Sequence, residues 1–267
     1  MKQTVATTVL AYVILGLLTI GPARAASGPT AETATLFFDD FSAPLDPSIW
    51  DYNLFSSVNN PSFYGRTQQR QTLPSVSNGV LHLQLDTLNP TNLPPPAPPT
   101  FYGSEAITRQ TFATSTGAGI ALEVSARIVT PVAGIVGGVF GYNFDSATGL
   151  HSELDTELLG NDAAAGRNRA ETNVYSNEPS NAGHPQFVPV IDLTQSHIYR
   201  MELFPDRVRW LIANYVVRED TVHIPQGALA LHLNIWAPAA DFADAYSASL
   251  QPTSNPANNV TYSVDVD

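Results

Sequence analysis

The chain has no cysteine, and its only lysine is Lys2. Without cysteine there is no disulfide framework and no cysteine-ligated zinc, so the fold has to be held by an ordinary apolar core. The scarcity of lysine leaves 12 basic residues against 24 acidic ones and a formal net charge of -12. Such a chain is ill suited to nucleic acid or to anionic membrane surfaces, both of which attract basic patches. An acidic surface is compatible with a neutral polymer as partner. Helical periodicity is scarce too, and after the N-terminal stretch no run is apolar for long enough to span a bilayer. The six histidines are scattered without metal-ligand spacing.

What is present begins with a leader pattern. Met1-Lys2 opens a short basic region, Val9 to Ile20 is mostly apolar, and Ala23-Arg24-Ala25 is a small-x-small cleavage site. Residues 1–25 therefore read as a secretory signal peptide. Residues 26–36 read as a short lead and 37–267 as one domain, secreted or periplasmic and free of the membrane after cleavage. Roughly 240 residues suffice for one large core without disulfides.

Short runs rich in Val, Ile, Leu, Tyr and Phe recur between turn residues. In Val80 to Leu85, Leu81, Leu83 and Leu85 alternate with Val80, His82 and Gln84. Ile120 to Val129 and Leu229 to Trp236 are further strands. Ile198 to Arg218 reads as successive hairpins turned at Pro205-Asp206 and Ala213-Asn214. This pattern predicts an all-β, two-sheet antiparallel jelly-roll sandwich. Leu93 to Pro99 is too proline-rich for strand or helix and is expected as a stiff exposed loop. Ser176 to Pro189 and Ala237 to Asn259 are expected as rim loops. Gly134 to Gly138 lacks the lysine of a phosphate loop and reads as a strand with close backbone approach.

The most informative segment is Glu153-Leu154-Asp155-Thr156-Glu157. On a strand its three acids share one face, while Leu154 and Thr156 take the other. Like charges in a row raise the cost of ionising one another, so chemistry or a metal is the usual reason for the arrangement. Glycosidic cleavage with retention needs two carboxyls about 5–5.5 Å apart, one a nucleophile and one an acid/base.

Glu153 to Gly160 resembles the signature of glycoside hydrolase family 16. Phe38 to Phe41 with Leu45 to Trp50 resembles that family's opening segment, and Val76 to Leu81 its early strand. His197 to Val217 is similar to its central hairpins, and Leu233 to Trp236 to the strand near its end. The resemblance implies a jelly roll with a cleft on the concave sheet, and endo-acting cleavage of β-glucans with retention. By motif position it implies Glu153 as nucleophile, Glu157 as acid/base, and Asp155 between them tuning their ionisation. The motif has no extra residue between Asp155 and Glu157, which resembles lichenases and xyloglucan-active enzymes more than laminarinases.

Sugar contacts are expected from three pairs that share a face: Phe140 with Tyr142, Asn173 with Tyr175, and Asn234 with Trp236. Aromatic faces stack on sugar rings, and amides bond their hydroxyls. Arg109 is a further candidate for the cleft and Glu105 a weaker one. His151-Ser152 stands where lichenases usually carry Trp-Asp, so His151 is expected beside Glu153 at an altered subsite. The implied reaction needs no cofactor. Asp265 or Asp267 is a candidate for a structural calcium, as in some relatives. A monomer is expected. The leading expectation is a β-glucanase acting on mixed-linkage 1,3-1,4- or 1,3-β-glucan. The other readings are a xyloglucan hydrolase or transglycosylase, and a non-catalytic polysaccharide-binding module on the same fold.

Overall fold

A computed structural model describes residues 33–52, 66–92, 99–115, 118–190 and 192–267, together with the strand Val9–Leu15. The proline-rich segment read as an exposed loop lies, apart from Pro99, outside the described residues. The first strands are β1 (Val9–Leu15), β2 (Thr33–Asp39), β3 (Trp50–Asp51), β4 (Thr67–Gln69), β5 (Ser75–Ser77) and β6 (Val80–Asp86). Next come β7 (Phe101–Phe112), β8 (Ala118–Ile128), β9 (Val136–Asp145), β10 (Leu150–Leu159) and the one-turn helix α1 (Gly160–Ala164). The chain ends with β11 (Arg169–Glu178), β12 (Gln186–Pro189), β13 (His197–Phe204), β14 (Arg207–Ile212), β15 (Tyr215–Asp220), β16 (Leu229–Trp236) and β17 (Thr261–Val266).

Two sheets form. The first runs β12-β11-β10-β9-β16-β7-β3, every neighbour antiparallel. The second runs β15-β14-β13-β8, then through β17 to β6 and β5. Strand β7 belongs to both. Its first residues pair with β4 in the second sheet, and the remainder lies in the first. This is the expected all-β sandwich.

Alternation explains the core. Leu81, Leu83 and Leu85 are fully buried on β6 while their neighbours are partly open. From the first sheet, Leu154, Leu158, Val174, Leu231 and Leu233 pack into the same cluster as Ile120, Leu122, Met201, Val208 and Trp210 of the second. Each large aliphatic side chain so buried contributes about 1.5–3 kcal/mol. The Ala213-Asn214 turn joins β14 to β15 with both residues at positive φ, 48° and 68°. That is the conformation whose twist suits a two-residue hairpin loop.

Two segments differ from the sequence reading. Gln186–Pro189, expected in a rim loop, is an edge strand paired with Arg169–Thr172. Pro189 is tolerated there because the outer edge of β12 offers no ladder partner. Strand β2 begins at Thr33, inside the segment read as a lead. It pairs in parallel with β1, which also lies parallel to β8. Strand β1 is the apolar part of the N-terminal leader pattern.

The sheets are joined by more than apolar contact. Trp210 is buried on β14, and its indole N–H donates to the Asp155 backbone carbonyl at 2.7 Å. Its cross-strand partner Arg218 lies over the indole, 4.3 Å from the ring centroid. Arg218 also donates to the Thr172 carbonyl and hydroxyl and to the His184 carbonyl. One hairpin of the second sheet thus grips β10 and β11 from behind. Trp210→Phe keeps most of the buried volume but removes a buried hydrogen bond, at a cost of about 0.5–1.5 kcal/mol. Urea unfolding of that variant is expected to show a midpoint lowered accordingly at unchanged slope. An unchanged midpoint would mean the bond carries no stability.

Candidate active site

On the outer face of the first sheet, the register aligns side chains into three rungs that cross the strands. Glu171, Glu157, Gly138, Asn234 and Glu105 form one. Asn173, Asp155, Phe140, His232 and Ile107 form the next. Tyr175, Glu153 and Tyr142 form the third. The ladder is continuous from Ser152 to Glu157 on both sides of β10, so the three acids keep the regular spacing read from the sequence. The only shift on this strand falls between His151 and Ser152.

The acids sit in a nearly dry row. Glu153 and Asp155 are buried, and Glu157 is partly open. Burial, then the charges of Glu153 and Glu157, push the Asp155 carboxyl well above the usual carboxylate range. Asp155 therefore stays protonated and hydrogen-bonds Glu153. Burial, then the charge of Glu171, then that of Glu153, also hold Glu157 well above its ordinary value. The face thus offers a carboxyl that keeps its proton near neutral pH beside a second carboxyl that accepts hydrogen bonds. That is the complement an acid/base and nucleophile pair requires.

Aromatic side chains surround Glu153. His151 Nε2 lies 3.0 Å from Glu153 Oε2. The imidazole is held between Tyr175, 4.4 Å away, and Tyr142, 5.5 Å away. Burial and the neighbouring carboxylates raise both tyrosines, Tyr142 to about 12, so both hydroxyls remain donors. Asn173 donates to the Tyr175 hydroxyl at 3.3 Å. Phe140 stacks on His232 at 4.7 Å, and His232 Nδ1 lies 2.8 Å from Glu105 Oε1. Gly138 stands opposite Glu157 for a steric reason: a Cβ there would come 2.5 Å from Asn234 Oδ1. The glycine run read as close backbone approach is therefore the space into which Asn234 leans. Asn234 Oδ1 and Glu105 Oε2 are buried and find no hydrogen-bond partner among the described residues.

Beyond the Glu157 rung lies an apolar wall. Leu159, Val136 and Trp236 pack together beneath Ala245, with Phe187 and Phe242 against them. Trp236 is only 4% exposed and meets Phe242 at 6.0 Å, so it closes one end of the face and does not present a ring to it. The structure brings Phe140, Tyr142, His151, Asn173, Tyr175 and Asn234 to the acids as expected. It does not bring Arg109 there. That guanidinium pairs with Asp51 at 2.8 Å and donates to the Pro47 carbonyl, beside exposed Ile49. Asp265 accepts from His82 and Arg127, and two positively polarised partners make it a poor fit for calcium. No group of three or more acids or histidines suited to a metal occurs among the described residues.

Comparison with known proteins agrees with this geometry. Residues 63–253 match the model of the glycosyl hydrolases family 16. A crystal structure of a prokaryotic β-1,3-1,4-glucanase (lichenase) from a mouse hindgut metagenome superposes with a TM-score of 0.66 at 21% identity. That match covers 86% of this chain and 94% of the lichenase. A Bacillus licheniformis β-glucanase gives 0.63 at 20% identity over 85% and 92% of the two chains. The catalytic domain of an endo-1,3-β-glucanase (laminarinase) from Thermotoga petrophila gives 0.65 at 14% identity over 86% and 93%. No curated protein sequence matches this chain. The extent of the family match is decisive: the chain belongs to glycosyl hydrolases family 16, and it is a glycoside hydrolase with a β-sandwich jelly-roll fold.

Two residues of the face escaped the sequence reading, Glu171 and His232. Each lies two positions from a residue that was read, Asn173 and Asn234, and strand parity alone would have placed them beside it. The electrostatics of the row make a stability prediction. A carboxyl whose folded pKa is raised is best accommodated below its unfolded pKa, and the fold loses stability as pH climbs toward the folded value. Glu157→Gln removes that penalty. Its melting temperature is expected to exceed wild type at about pH 8, with the gain vanishing near pH 4. A gain of equal size at both pH values would contradict the raised pKa.

Proposed function

We propose that this chain is a secreted endo-β-glucanase that cleaves mixed-linkage 1,3-1,4- or 1,3-β-glucan with retention. The observation that carries the reading is the Glu153/Asp155/Glu157 row on the outer face of the first sheet, with Glu157 favoured in its protonated form beside Glu153. The leader pattern at residues 1–25 supports secretion. The lichenase and laminarinase neighbours support the substrate class.

In the first step, Glu157 gives its proton to the glycosidic oxygen while Glu153 attacks the anomeric carbon. The glycosidic bond breaks, the aglycone leaves, and the sugar is held as an ester on Glu153. Glu157, now ionised, then takes a proton from water, which attacks the same carbon and releases Glu153. Asp155, protonated and bonded to Glu153, keeps that carboxyl in place without adding a third charge. The His151 imidazole lies against one oxygen of Glu153 and helps to fix the orientation of that carboxyl. Tyr142 and Tyr175 supply donors and apolar surface around the sugar bound there.

The test is reducing-end release from barley β-glucan, laminarin, xyloglucan and agarose, with and without acceptor oligosaccharides. Wild type is expected to cleave barley β-glucan or laminarin. Glu153→Gln is expected to lose about a thousandfold or more in kcat. Undiminished hydrolysis by Glu153→Gln would remove that residue as nucleophile. Cleavage of xyloglucan alone, or transfer to its oligosaccharides, would replace the substrate assignment. Binding with no cleavage of any polymer would turn the chain into a binding module.

A further inference from the structure

Five carboxyls line the three rungs, and one of them, Glu171, lies directly across the ladder from Glu157. We propose that Glu171 is a positioning residue that keeps the proton on Glu157, a role separate from sugar contact. The inference rests on the assignment of Glu157 as acid/base.

The geometry is that of a cross-strand carboxyl pair. Glu171 and Glu157 are register partners of β11 and β10 on the same face, and such pairs place their Cβ atoms about 4.5–5.5 Å apart. Like charges facing each other so closely destabilise a sheet unless one carboxyl stays neutral. Water relieves Glu171 little, although Glu157 is partly open. Glu171 is 5% exposed, its other register partner is Phe187, and the Leu159–Val136–Trp236 wall closes that end of the face.

One cation, Arg169, relieves Glu171 in part, and its bonds lie elsewhere. Neither carboxyl makes a hydrogen bond or an ion pair among the described residues. The nearest base, Arg169 on β11, donates to Asp162 of α1 at 2.9 Å and lies 3.7 Å from Asp244. Its guanidinium also covers the Phe187 ring at 3.5 Å. The titratable groups around the pair are therefore Glu153 and Asp155 on β10, Arg169 on β11, Asp162 on α1, and Asp244 in the segment after β16.

Both carboxyls are held above the ordinary carboxylate range. Burial, with Asp244 and Asp162 opposing the pull of Arg169, raises Glu171 to about 7. Glu157 lies well above its ordinary range, and Glu171 is the strongest single charge acting on it. With Glu171 facing it across the ladder, a charge on that carboxyl favours the proton on Glu157. This charge differs from that of Glu153 in one mechanistic respect. Glu153 is neutralised as an ester midway through the reaction, whereas Glu171 takes no part in bond making. Its charge persists into the second step, where Glu157 must act as base, and keeps that base strong.

The experiment has two independent readouts. Carboxyl carbons are titrated by NMR in protein labelled at glutamate side chains, with Glu157 assigned by its absence from the Glu157→Gln spectrum. In Glu171→Gln, or in Glu171→Ala should the first not fold, the Glu157 pKa is expected to fall by about one unit. Glu171→Asp, which keeps the charge, is expected to restore most of that shift. The alkaline limb of kcat/KM on the best polymer should move to lower pH by the same amount. A Glu157 titration unmoved in a folded neutral variant overturns the proposal. If the NMR shift appears but no polymer is cleaved at any pH, the coupling stands, and it is the glucanase assignment that fails.

Discussion

The bond from the Trp210 indole to the Asp155 carbonyl is the constraint on which the site depends. It fixes the back of β10 at the residue whose side chain stands between Glu153 and Glu157. Around it, Leu154 and Leu158 fill the core face of the same strand, and Arg218 holds β11 through Thr172. A strand with three acids on its outer face gains nothing from that face in stability. Its position has to come from behind, from apolar burial and from donors reaching across the sandwich. The second sheet supplies both, and so the hairpin β14–β15, which carries no group of the active face, decides where the carboxyls stand.

The cost of the row is met by neutralising some of its members. Asp155 stays protonated and bonds Glu153, and Glu157 keeps its proton against both Glu153 and Glu171. Neutral carboxyls can be buried at a fraction of the cost of ionised ones, provided they find hydrogen-bond partners. The same protonation pattern is what acid catalysis requires, so the arrangement that makes the fold tolerable also sets up the chemistry.

Much of this was legible from residue order because the relevant period is two. Alternation at Val80 to Leu85 and in the Ile198 to Arg218 hairpins gave the strands, and the i, i+2, i+4 spacing gave the acid face. The glycine run at Gly134 to Gly138 was legible as close approach, though not that Asn234 would fill the space. What parity cannot give is register between strands. Nothing in the sequence sets Glu171 against Glu157, because that pairing depends on how α1 and its flanking turns return the chain. Loop packing was equally hidden. Trp236 shares a face with Asn234, as expected, yet the segment carrying Phe242 and Ala245 covers it. Arg109 has the charge for a cleft residue, but Asp51 on the neighbouring short strand captures it.

The account is tested most directly by the anomeric configuration of the first product. Proton NMR, recorded within the first minutes of cleavage of a β-glucan, distinguishes the two anomers before they equilibrate. Double displacement at Glu153 predicts that the β-anomer appears first and the α-anomer only later by mutarotation. Early appearance of the α-anomer would mean that water attacks directly, and would contradict the roles assigned to Glu153 and Glu157.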